Sequence, residues 1–227
     1  RGRRFERGRS ARRRAGQGRR RLLSRPLLYV LAGVNGGGKS SIGGRILREV
    51  GLDWFNPDDW SRALQAAGRP RETADAEAWV EGQRRLDAAL ANGENFAFET
   101  TLGGRSVTAK LIDAARSHEV LVWYVGLDGV ERHLERIALR VRHGGHDIPE
   151  RKVRERYVSS MANLVRLVPH VQAVQIFDNS ATVAEGAPLR TPRLVALIVE
   201  GRLVRPGLDG LNDVPRWAVP AVEAALV

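Results

Sequence analysis

Eight residues, Gly33-Val34-Asn35-Gly36-Gly37-Gly38-Lys39-Ser40, fit the pattern G-x-x-x-x-G-K-[ST], the phosphate-binding loop called Walker A. Each residue type has a mechanical use there. The glycines and Asn35 let the backbone curl so that successive N–H groups cradle phosphate oxygens. The Lys39 ammonium reaches the β- and γ-phosphates, the Ser40 hydroxyl ligates Mg²⁺, and Ser41 follows on the nucleotide side. A helix behind the loop turns its positive end toward the anion. The chemistry served is the handling of a nucleoside triphosphate, ATP or GTP. The bland reading is a Gly-rich turn that binds nothing. Against it, lysine occurs only at Lys39, Lys110 and Lys152 among 37 cationic residues, so a chain that writes its cations as arginine keeps lysine at the motif position.

Phosphoryl transfer also needs an acceptor hydroxyl, a group to take its proton, and cations around the moving phosphoryl. Asp58 is the candidate base. Glu99 and Thr101 are candidates to orient the acceptor, with Thr100 and Arg105 in the same segment. The bland reading of Asp58 and Asp59 is a helix N-cap after Pro57, and that of Glu99 is a salt bridge to a neighbouring arginine. Arg140, Arg142, Arg154 and Arg156 flank a Gly144-Gly145 hinge and could close over the nucleotide as a lid, Arg142 and Arg156 acting as fingers. The competing reading is a solvated helix face. His146 beside Asp147 has no second His or Cys at metal-ligand spacing. Asp128 could imitate a Walker B acid, but reads better as a cap for the next helix.

These residues need elements to hold them. Residues 27–32 form a short apolar run suited to a buried parallel strand, and Ile42, Ile46, Leu47 and Val50 recur at helical spacing behind the loop. A short second strand is expected to end near Asn56. A helix follows over 73–90, then a third strand at 95–98, a helix over 106–117 and a fourth strand at 120–125. Val130, Leu134, Ile137, Ala138 and Val141 mark the inner face of the next helix. Asp147, Pro149 and Glu150 have capping-box-like spacing before another helix, which stops at Pro169. A fifth strand spans 171–177. Residues 194–204 read as a strand–turn–strand addition, and the last fifteen as a short apolar helix. The expected fold is α/β, a P-loop NTPase with a doubly wound parallel sheet of about five strands flanked by helices. On this reading the Walker loop, Asp58, Glu99-Thr100-Thr101 and Asp178-Asn179-Ser180 all fall beyond the carboxyl ends of strands, where such sheets bind ligands.

The net charge of +11 suggests nucleic acid until it is located. Residues 1–25 contain twelve arginines and one acid, Glu6, so the excess lies in that basic segment and residues 26–227, the expected kinase domain, are neutral. The basic segment reads as disordered, and as a nucleic-acid arm, a transit peptide, a secretory signal or a non-native lead-in, the last being favoured. Nucleic acid is otherwise not expected as a partner. Without cysteine there is no disulfide framework, and no apolar run has the length of a membrane span, so a cytoplasmic location is expected.

Taken together, these stretches resemble the zeta-toxin-like P-loop kinases, most closely the branch often labelled predicted ABC-type ATPase. The matching pieces are residues 31–41, 55–58, 96–102, 140–149, 156–164 and 178–180, in the family's order. The resemblance implies an ATP- and Mg²⁺-dependent kinase. Lys39 and Ser40 would hold nucleotide and metal, with Asp58 as general base. Glu99 and Thr101 would contact the acceptor, and Arg142 and Arg156 the phosphates. Zeta toxins phosphorylate UDP-N-acetylglucosamine and have antitoxin partners, so both become expectations. The Asn35-Gly36-Gly37 form of the loop and the Thr100-Thr101-Leu102-Gly103-Gly104 segment depart from the proven toxins. The rival reading is a nucleotide-dependent switch ATPase without a small-molecule acceptor.

Overall fold

The computed structural model describes residues 25–40, 43, 54–181 and 190–226. The expectations for the basic segment over residues 1–24, for Ser41, and for the helical face of Ile42, Ile46, Leu47 and Val50 lie outside the described residues.

Six strands form one sheet in the order β2-β1-β3-β4-β5-β6. β1 (Leu27–Ala32) lies between β2 (Phe96–Thr100) and β3 (Glu119–Gly126), parallel to both. β4 (Ala173–Asp178) pairs parallel with β3. The antiparallel hairpin of β5 (Arg193–Val199) and β6 (Arg202–Arg205) completes the sheet, as the strand–turn–strand reading expects. Among the described residues, the expected second strand appears as a one-residue pairing at Phe55. Phe55 donates to the Ala97 carbonyl (2.8 Å) and accepts from the Glu99 amide (2.9 Å), and Pro57 then opens a helix. Proline has no amide to donate and a φ already suited to a first helical turn, so the strand cannot run on.

Helices connect these strands. α1 (Pro57–Ala66) and α2 (Arg71–Asn92) precede β2, α3 (Arg105–Ala114) precedes β3, and α4 (Val130–Arg142) with α5 (Glu150–Leu167) precedes β4. A short α6 (Val219–Glu223) follows the hairpin. The N-cap of α1 is Asn56, whose side chain accepts from the Asp58 amide at 2.9 Å, so neither Asp58 nor Asp59 caps. The capping box expected before α5 does not form. Asp147 instead accepts from the adjacent Ile148 amide, and Pro149 takes the cap position without a side-chain bond. Asp128 does not cap α4 either. It is exposed, and Gly129 stands at the cap. No described helix is long and apolar enough to cross a membrane.

Alternation along the strands divides the interior. Leu28, Val30, Val122, Tyr124, Val174 and Ile176 point into the main core, which α3, α5 and α6 cover. Leu31 and Val125 point to the other face, where Gly43 meets Leu31 so closely that a Cβ would lie 2.3 Å from its side chain. At the end of β3, Trp217 lies over Gly126 and near Tyr124, with ring centroids 6.2 Å apart. Ala218, Ala221 and Val222 beside it are buried in the main core.

Candidate active site

Parallel register explains how residues far apart in sequence converge. Leu31 stands beside Glu99 and Ala32 beside Thr100 on one side, with Tyr124 opposite Ala32 on the other. The loop that leaves β1 therefore emerges between the carboxyl ends of β2 and β3. The chain crosses β1 in passing from β2 to β3, which makes this the switch point of the sheet.

The loop folds tightly over β3 and α4. Gly33 has φ +134°, and a Cβ there would lie 2.1 Å from the Val125 carbonyl oxygen; Gly36 has φ +82°, and its Cβ would lie 2.7 Å from the His133 carbonyl oxygen. Both positions need glycine on two counts, backbone conformation and space. Three side chains from later elements brace the loop. The Asn179 amide donates to the Gly37 carbonyl (2.9 Å). His133 Nδ1 donates to the Asn35 carbonyl (2.8 Å), and an Arg156 guanidinium nitrogen donates to Asn35 Oδ1 (2.7 Å). The carbonyl can only accept, so the His133 bond fixes the Nδ1–H tautomer. Burial pushes His133 down to about 4, opposed by the Asn35 carbonyl and assisted by nearby Lys39 and Arg136. Sequence reasoning missed His133. Its signal was spacing, because it falls three residues after Val130 and four before Ile137, on the inner stripe of α4.

Lys39 and Glu99 are both buried, with Lys39 Nζ 3.5 Å from Glu99 Oε1 and 3.4 Å from the Val34 carbonyl. The Ser40 hydroxyl faces the same carboxylate at 2.8 and 3.1 Å. Glu99 therefore stands at the phosphate loop, whereas the sequence reading set it on the acceptor. A serine hydroxyl and a carboxylate in contact are hard oxygen donors of the kind Mg²⁺ takes while keeping waters and phosphate oxygens as its remaining ligands. The residues fit that ion. No group of three or more His, Cys, Asp or Glu that could enclose a metal occurs among the described residues.

A cavity of about 570 Å³ opens beside this corner. It is lined by Lys39 and Glu99, by Asp58 from α1, by Thr100 and Thr101 at the end of β2, and by Arg156 from α5. Asp58 sits in the first turn of α1, with His146 Nε2 3.9 Å from its Oδ2. Asp59 instead pairs with Arg62 on the exposed face. Arg71, Trp79 and Lys152 also line the cavity, and none was singled out from sequence.

The segment that leaves β2 is strained. Leu102 has φ +54°, a left-handed conformation costly for a branched side chain, and is fully buried. Its amide donates to Thr100 Oγ1 (3.0 Å), and its carbonyl accepts from Asn163 (2.8 Å). Ser160 donates to the Thr101 carbonyl at 2.7 Å. Its single proton is thereby used, so Tyr124 OH donates to Ser160 across 3.0 Å. Burial pushes the Tyr124 phenol up to about 12 despite that bond.

Two expected site residues fall elsewhere. Arg142 is exposed on the last turn of α4 and does not line the cavity; two residues along a helix turn a side chain to nearly the opposite face, and Arg140 is the one directed to the α4–α5 connection. Arg105 is exposed at the start of α3, whose inward face is Val107, Thr108 and Leu111. Arg154 is held by Glu131 and Glu150, which raise its pKa further, and so is not directed to the cavity. The row Arg132, Arg136 and Arg140 is not simply solvated: Arg132 donates to the Ser180 carbonyl, Arg136 to Asn179 and Ala181, and Arg140 to His146.

Comparison with known proteins agrees with this geometry. The chain matches the AAA domain family over residues 28–163, a span that contains the phosphate loop, Asp58, Glu99 and Arg156. It is 31% identical over 126 residues to an uncharacterized protein of Haemophilus influenzae, covering 55% of this chain and 88% of the relative. Among solved structures it is similar to a chain of the AvrRxo1-ORF1:-ORF2 complex with ATP. The TM-score is 0.61 at 17% identity, covering 85% of this chain and 64% of that one, so the protein spans under two thirds of that neighbour's length. It is also similar to a chain of the PezAT chromosomal toxin–antitoxin system of Streptococcus pneumoniae, with TM-score 0.52 at 15% identity and 74% of each chain covered. At these identities the likeness is one of fold.

Proposed function

The chain belongs to the AAA domain family of P-loop proteins, and from that premise we propose an ATP- and Mg²⁺-dependent phosphotransferase that moves the γ-phosphoryl to a hydroxyl of a small molecule. One observation carries the reading. A single cavity is lined both by Lys39 of the phosphate loop and by Asp58. A phosphate-binding loop alone suits any nucleotide protein; a second carboxylate across an open volume suits an acceptor that must lose a proton.

In this reading the loop amides and Lys39 hold the triphosphate, and Ser40 with Glu99 holds Mg²⁺. When bound, that ion neutralises charge on the phosphate oxygens. Thr100 and Thr101 present the acceptor. Asp58 takes the hydroxyl proton as the acceptor oxygen attacks the γ-phosphorus and the bond to the β-phosphate oxygen breaks. Arg156, already directed to the loop by Asn35, stabilises the charge that spreads over the phosphoryl group. The motif resemblance to zeta toxins makes UDP-N-acetylglucosamine the first acceptor to try, extends the proposal to an antitoxin partner, and suits a cytoplasmic location. Glu99 against Ser40 also supplies the acid that a switch ATPase would use, so the assay must separate the two readings.

Labelled ATP with a panel of sugar nucleotides, nucleosides and aminoglycosides does so: a labelled organic product supports the kinase, and labelled inorganic phosphate alone supports the switch. Asp58→Asn should leave nucleotide affinity nearly intact while transfer falls by roughly 10²–10⁴. Equal turnover in that variant would remove Asp58 from the mechanism, and failure to retain any nucleotide with magnesium present would reject the whole reading.

A further inference from the structure

The connection between α4 and α5 is moored at several points. Gly144 has φ +82°, and the next residue lies against α4, where a Cβ on Gly145 would be 2.9 Å from the Arg140 carbonyl oxygen. These glycines let the chain fold back over the end of the helix. The Gly145 amide donates to the Arg140 carbonyl (2.9 Å), and the Arg140 guanidinium donates to the His146 carbonyl (3.0 Å). From the other wall, Arg71 at the start of α2 donates to the Asp147 carbonyl (2.6 Å). Ile148 is buried with Val34 and Ile137. The segment thus spans from the phosphate-loop side to the α1–α2 side and carries the His146 imidazole to the cavity wall. Its Nε2 lies 3.9 Å from Asp58 Oδ2 and 3.4 Å from an Arg140 guanidinium nitrogen.

We propose that His146 is a positioning residue for Asp58, and that its imidazole decides whether that carboxylate is free to accept a proton. The inference rests on the reading of Asp58 as the base. Arginine only donates, so the Nε2 that faces Arg140 is the unprotonated nitrogen of a neutral ring. In that state Nε2 turns its lone pair to Arg140, offers Asp58 no hydrogen, and leaves the carboxylate oxygens to the acceptor. In the protonated ring Nε2–H turns from Arg140 to Asp58, closes the 3.9 Å gap to hydrogen-bond length and occupies the carboxylate. The groups that face the ring are Asp58 from α1, Arg71 and Asp75 from α2, and Arg140 from α4. Burial is the largest influence and, with Arg140 and Arg71, favours the neutral ring; Asp58 and Asp75 oppose it. The net displacement is below the ordinary 6.5. The base is therefore free at neutral pH and captured as pH falls through the His146 midpoint.

Two measurements on the full chain test this. In an NMR titration, Asp58→Asn should lower the His146 midpoint, because an anion beside the ring is lost; an unchanged midpoint would overturn the contact. Hydrolysis of MgATP alone, followed from pH 5 to 8, is the second probe. His146→Asn cannot become cationic, so its acid limb should move to lower pH. An acid limb identical to that of the wild type would sink the role of His146 while leaving the base reading intact. Undiminished turnover in Asp58→Asn would instead remove the base reading, and the two failures are thus distinguishable. If hydrolysis is too slow to follow, the titration alone decides.

Discussion

A histidine held neutral beneath a phosphate loop ties the integrity of that loop to pH. His133 donates to the Asn35 carbonyl while burial keeps its pKa near 4 against an ordinary 6.5. Between those values the unfolded chain binds a proton that the folded one refuses. The contribution to stability is complete above about pH 6.5 and is lost as pH falls toward 4, by up to about 3 kcal/mol. His133→Gln, which retains a donor but does not titrate, should show a flatter dependence of the urea midpoint over that range, and slopes equal to those of the wild type would contradict the account. At this scale the sequence was most legible where a residue type is demanded by a motif, as at Lys39, Ser40 and the loop glycines. It was less legible where tertiary contact sets the role. Glu99 reads as an acceptor contact or an arginine salt bridge until the fold sets it against Lys39 and Ser40. Arg142 carries the charge expected of a phosphate contact and Arg105 that of an acceptor contact, but both are exposed on their helices and line no part of the cavity.

Among the elements, the segment after β2 stores strain that α5 must hold. Leu102 keeps its left-handed conformation because Thr100, Asn163 and the Tyr124–Ser160 pair satisfy the backbone around it. Asn163→Ala leaves the buried Leu102 carbonyl unpaired and should cost about 1–3 kcal/mol in urea unfolding. Because this segment lines the cavity, turnover should fall in that variant while nucleotide affinity measured by titration is kept. Equal losses of both would mean that α5 supports the phosphate loop alone. Strands β1, β3 and β4 and the long helices were legible from periodicity and apolar runs. The expected strand before Asn56 is seen, among the described residues, only as the pairing of Phe55, because Pro57 opens α1 immediately afterwards. The capping box before α5 failed: its spacing is right, but Asp147 spends its side chain on the neighbouring amide and Pro149 takes the cap.

For the whole molecule, the C-terminal hairpin and α6 reach the site through packing. Trp217 covers Gly126, where an added Cβ would lie 2.4 Å from the indole, and the Gly126 carbonyl accepts from the Asn179 amide at 3.0 Å. Gly126→Ala should lower stability by about 1–3 kcal/mol through overpacking, and combining it with Trp217→Ala should cost less than the sum of the two. Strict additivity in unfolding experiments would show that they do not meet. The α/β class could be anticipated from alternating elements, whereas the strand order about β1 comes from the three-dimensional structure, and the antiparallel join of β4 to β5 depends on residues whose pattern fits either direction. Arginine usage, plain in composition, acquires a meaning only in three dimensions. Guanidinium groups of Arg71, Arg132, Arg136 and Arg140 grip main-chain oxygens of the connections that follow α4 and β4. Such moorings are independent of the sheet ladder, so removing one of these guanidinium groups frees a main-chain oxygen while every strand pairing is kept.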